Sequence, residues 1–66
     1  MNDSVKFGKF IRDKRLESGA SQEDLAGDLN ISQSVISRIE RGAENNYQAY
    51  VRRLLMYFKA PRLSKW

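Results

Sequence analysis

Three observations predict an all-α domain of four to five short helices. Apolar residues recur three and four apart in successive segments, as in Phe7, Phe10 and Ile11, and again in Leu25, Ala26 and Leu29. Helix starts and stops separate those segments, with Ser21 and Ser32 as starts and Gly19, Asn30, Gly42 and Pro61 as stops. The chain holds no cysteine and no histidine, so stability must come from helix packing, not from disulfides or a thiolate metal site. At 66 residues and 41% hydrophobic, residues 1–66 form one domain around one small core.

The first helix runs from about Ser4 to Ser18 and buries Phe7, Phe10, Ile11 and the stem of Lys14, with Gly19 as its stop. The second runs from about Gln22 to Leu29. Ser21 is its N-cap, and Asp24 returns the bond in a capping box. Leu25, Ala26 and Leu29 form its buried stripe, where the small Ala26 lets another helix approach closely. A sharp turn follows at Leu29-Asn30-Ile31. Asparagine suits it because, after glycine, it best tolerates the left-handed conformation. Ser32 caps the third helix, which runs to about Arg41, buries Ile36 and Ile39, and ends at Gly42. Asn45 or Asn46 caps the fourth, where Tyr47, Tyr50, Val51, Leu54, Leu55 and Phe58 make a broad apolar face. Pro61 ends it and leaves Arg62 to Trp66 as a tail.

A net charge of +4 and a pI near 9.8 favour an acidic partner. The basic residues lie at helix ends and on outer faces, and no basic run exceeds two residues, as at Arg52-Arg53, too short for a polybasic membrane anchor. No apolar run approaches the roughly 20 residues of a membrane span, and the opening MNDSVKFGKF lacks the apolar stretch of a signal peptide. These features predict a cytoplasmic protein. Without histidine or cysteine, no pair of carboxylates stands out on a common face and the chain is short for a substrate pocket. No enzyme activity, metal, cofactor or small-molecule substrate is therefore expected.

The segment Ser21 to Gly42, SQEDLAGDLNISQSVISRIERG, carries the functional signal. It reads as two serine-capped helices joined by a tight turn, an arrangement that can hold one helix while its neighbour lies in the major groove of double-stranded DNA. With Ile36 and Ile39 inward, Gln33, Ser34, Ser37 and Arg38 face outward. Glutamine can pair bidentately with adenine and arginine with guanine; serine donates or accepts, and the Val35 methyls can meet a thymine methyl. No acidic residue interrupts the outer face between Ser32 and Ile39, whereas a merely solvated helix would usually mix in glutamate.

From Ile11 to Gly42 the chain resembles the Cro/cI-type, or XRE, family of helix-turn-helix DNA-binding proteins. That family's pattern is an arginine-rich first helix, Gly-x-Ser-Gln-x-x-Leu-Ala, a turn, then Ser-x-x-x-Ile-Ser-x-x-Glu-x-Gly. The matching residues are Arg12, Arg15, Gly19, Ser21, Gln22, Leu25, Ala26, Ile31, Ser32, Ile36, Ser37, Glu40 and Gly42. The resemblance implies a small lambda-repressor-like fold. It also implies base reading by Gln33-Ser34 and Arg38, whose positions hold a Gln-Ser pair and a base-reading lysine in members of the family. Gln22 would bind a phosphate at a helix N-terminus and brace Gln33. Arg15 and Glu40 would form a buried ion pair, which makes Arg15 structural rather than DNA-binding. Arg41 would contact the DNA backbone, or else stand as a solvated helix end.

The chain departs from the pattern in several places. Asn30 replaces the usual turn glycine, and Lys14 and Ala20 stand where leucine is common, thinning the core. The loop Ala43-Glu44-Asn45-Asn46 is acidic where relatives are often basic; Glu44 should repel phosphate, while Asn45 and Asn46 could bind it with neutral donors. Little of the family's fifth helix is present. Tyr57, Phe58, Leu63 and Trp66 form either the surface of a weak homodimer or a patch folded back on the core. The expected function is a Cro-type repressor whose dimer presents two recognition helices to a palindromic operator. The alternative is a protein-interaction module or antitoxin that keeps the same fold.

Overall fold

A computed structural model describes residues 3–59, which form four helices and, among the described residues, no strand. They are α1 (Asp3–Ser18), α2 (Gln22–Leu29), α3 (Gln33–Arg41) and α4 (Gln48–Lys59). The predicted stop at Pro61 and the tail with Leu63 and Trp66 lie outside the described residues.

Local chemistry accounts for the boundaries. Ser21 Oγ accepts from the Asp24 amide at 2.9 Å while Asp24 accepts from the Ser21 amide at 3.1 Å, so α2 opens on a complete capping box. Ser32 Oγ accepts from the Val35 amide at 3.3 Å to open α3. Asn30 ends α2 at φ 57°, ψ 46°, and Gly42 ends α3 at φ 74°. At both ends the two following amides turn back onto the last carbonyls, Ile31 to Ala26 at 2.9 Å and Ala43 to Arg38 at 2.8 Å, in the Schellman manner. The turn between α2 and α3 is therefore closed by backbone bonds, and the orientation of α3 does not rest on side chains alone.

Ile11, Leu25, Ala26, Ile36, Ile39 and Leu54 make the core, with one or two residues from each helix. Phe7, Leu29, Ile31, Val35, Tyr47, Tyr50, Tyr57 and Phe58 pack around it half-buried. Phe10 corrects the predicted stripe of the first helix, since it is 42% exposed. The stripe that meets α3 is Gly8, Ile11 and Arg15, three and four residues apart, and at about 100° per residue Phe10 points away from it. Lys14 stands on that outer side too, its ammonium 5.7 Å from the centre of the Phe10 ring, so its stem is not core. Gly8 lets α1 approach the end of α3 closely: a Cβ there would fall on the Ile39 carbonyl oxygen and within 2.8 Å of that of Glu40.

Helix α4 closes the other side of α2. The Arg53 guanidinium donates to the Leu29 carbonyl, one of the carbonyls that the end of α2 leaves without a helical partner. The Tyr57 hydroxyl donates to Asp28 Oδ2 at 2.6 Å. Tyr57 and Phe58 stack edge to face, ring centres 5.1 Å apart, and both pack against the core. Both rings remain partly exposed, and Tyr57, an amphipathic side chain, packs its ring while its hydroxyl reaches a carboxylate; Leu63 and Trp66 lie outside the described residues.

Candidate nucleic-acid interface

With Ile36, Ile39 and Glu40 buried, α3 turns Gln33, Ser34, Ser37, Arg38 and Arg41 to one side. Gln33, Ser34 and Arg41 are exposed, whereas Ser37 and Arg38 are partly so. Ser34 Oγ lies 3.3 Å from Ser32 Oγ, and Arg41 Nε donates along the helix to the Ser37 carbonyl at 3.3 Å. Val35 stands apart from this set. It packs half-buried against the core, so less of it is available to a thymine methyl than its sequence position suggests.

Beneath the face, Arg15 and Glu40 meet in a two-point ion pair. Arg15 Nε donates to Glu40 Oε2 at 2.6 Å and Nη2 to Oε1 at 3.0 Å, and both residues are 9% exposed. Arg15 Nη1 also donates to the Ala20 carbonyl at 3.0 Å, tying α1 to the loop that enters α2. The hydrogen bond with Glu40 raises the Arg15 pKa; burial opposes it and the Glu40 charge adds to it. Gln22 joins the same cluster, its side-chain amide donating to Glu40 Oε1 at 3.1 Å. Gln22 is thus linked to the ion pair in the structure without DNA. The start of α2 is thereby fixed to the end of α3, beside its outward face.

The sequence reading missed one feature of the face. Arg38 Nε donates to Glu44 Oε1 at 2.9 Å, and Glu44 Oε2 accepts from the Asn46 amide at 3.2 Å. The Glu44 side chain is only 13% exposed, and this carboxylate, read in the sequence as a lone charge, is paired with an arginine of α3. The available signal was a pair of opposite charges flanking a left-handed glycine turn. The Arg38 bond first, then the Asn46 amide, hold the Glu44 carboxyl below the ordinary carboxylate range. A lowered pKa means that the link is complete at neutral pH and is lost only as pH falls through that lowered value. Asn45 and Asn46 stand exposed just before α4; the Asn46 amide is taken by Glu44 and its carbonyl by Ala49.

Among the described residues, no group of three or more acidic, histidine or cysteine side chains is placed to hold a metal ion, and no helix is long and apolar enough to cross a membrane. Two capped helices locked at a left-handed turn, the second with one face outward and one in the core, define a helix-turn-helix unit. The chain belongs to the helix-turn-helix domain family, whose model matches residues 6–63, in keeping with its Cro/cI-type pattern. No curated protein and no solved structure matches it.

Proposed function

We propose that this protein is a sequence-specific DNA-binding regulator that acts as a Cro-type repressor by occupying its operator. The observation that carries this reading is the outward face of α3, where Gln33, Ser34, Ser37 and Arg38 stand together over a core that holds the helix rigidly. Two copies on half-sites about one helical turn apart would match a palindromic operator. A weak homodimer of this kind could draw on the partly exposed rings of Tyr57 and Phe58 at the end of α4.

The test is selection of bound sites from random duplexes, followed by titration of variants on the selected site. Gln33→Ala and Arg38→Ala should each cost about 1–3 kcal/mol there and relax preference at one base pair. Unchanged ratios of cognate to random binding in both variants would remove α3 as the reader. A two-fold symmetric consensus supports the dimer, and an asymmetric one counts against it.

Arg41→Ala should behave differently, because a phosphate contact carries no base identity. Its binding should weaken on all sequences together, and the salt slope should fall by about one unit. A slope equal to that of the parent protein would place Arg41 off the DNA.

A further inference from the structure

We infer that Glu44 is a specificity-determining positioning residue: it holds Arg38 by Nε and so aims the guanidinium at a base edge. The inference rests on Arg38 being a base reader, and adds how it is oriented. Bidentate recognition of guanine needs two guanidinium N–H groups presented together in a fixed plane. A free arginine on a helix surface samples many rotamers and must be ordered when it binds. Here the Glu44 carboxylate takes only Nε, and among the described residues no hydrogen bond occupies the Arg38 Nη groups. The Arg38 side chain remains 43% exposed, so those donors are accessible.

Glu44 can serve as an anchor because it is itself held. Its second oxygen accepts from the Asn46 amide, and the loop that carries it is tied to α3 by the bond from the Ala43 amide to the Arg38 carbonyl at 2.8 Å. The pairing also sets one negative charge against Arg38, which lowers attraction to phosphates of any sequence. Only the orientation raises the ratio of specific to random binding, because phosphate attraction serves both kinds. A glutamate that only repelled phosphate would weaken both kinds of binding alike and leave that ratio unchanged.

The experiment compares the full chain with E44A, E44Q, R38A and E44A/R38A on the selected duplex and on random duplex, by fluorescence anisotropy, with thermal melts to verify folding. E44A should bind random DNA about threefold more tightly, as expected for removal of one surface charge. It should nevertheless lower the cognate-to-random ratio about tenfold, the scale of one weakened base contact. E44Q keeps an acceptor for Nε and should recover most of that ratio, and in the R38A background the E44A change should leave the ratio unmoved. If R38A lowers the ratio but E44A does not, Glu44 is only a repeller and the inference fails while base reading by Arg38 stands. A ratio that rises in E44A would make Glu44 a latch on Arg38, also against the inference. E44Q no better than E44A, or an equal fall with Arg38 absent, would assign Glu44 to the loop fold and overturn it. If R38A itself leaves the ratio unchanged, the base-reading assignment falls first.

Discussion

Glu40→Ala should leave most of the protein unfolded at 25 °C, and Arg15→Ala should come close to that. Breaking a buried ion pair by removing one partner costs about 3–5 kcal/mol, because the remaining charge is buried without its counterion. A core in a chain of this size rarely supplies more than about 3–5 kcal/mol in all. The two losses are therefore of the same order. Glu40→Ala is the more severe, since it removes the acceptor of two Arg15 bonds and of the Gln22 amide at once. After Arg15→Ala, Glu40 still has Gln22 as a donor.

Urea titrations followed by helical circular dichroism measure both losses. The double variant Arg15→Met/Glu40→Leu separates charge from packing: an apolar pair of similar volume in that space should restore much of the stability. Losses below about 1 kcal/mol in both single variants are typical of solvated pairs and would place this one in water.

How far the fold was legible depends on the range of the interaction involved. The capping box at Ser21 and Asp24, the left-handed Asn30 and the stop at Gly42 are local, made by residues within a few positions of each other, and each was readable from residue type and spacing. The outward set on α3 was readable for a related reason: Ile36 and Ile39 fix which side of a helix is buried, and the opposite positions follow. Phe10 could not be placed in this way. Periodicity alone does not tell whether a helix turns its phenylalanine or its glycine to a neighbour, and the close approach to α3 decides for Gly8. The same holds for Tyr57, whose hydroxyl finds Asp28 only once α4 lies against α2. Glu44 was read as a lone charge because its partner stands beyond Gly42, across a turn whose path was not yet known.

Gly8 and Gly27 should respond to the same substitution with opposite signs. Both lie inside helices, where alanine is preferred to glycine by about 0.5–1 kcal/mol. Apart from the backbone of its own helix and its chain neighbours, an added Cβ at Gly27 would meet nothing within 4 Å, so Gly27→Ala should stabilise the protein by about that amount. At Gly8 the new methyl would meet the backbone carbonyls of Ile39 and Glu40, which cannot rotate aside as a side chain would. Either α1 lifts from α3 or the end of α3 shifts, and overpacking of this kind costs about 1–3 kcal/mol or more. Packing should outweigh propensity here, because Arg15 lies on the same stripe and moving α1 outward also stretches its bonds to Glu40. Thermal and urea melts of the two variants give the answer directly. A Gly8→Ala protein as stable as its parent would mean that α1 and α3 stand further apart than described.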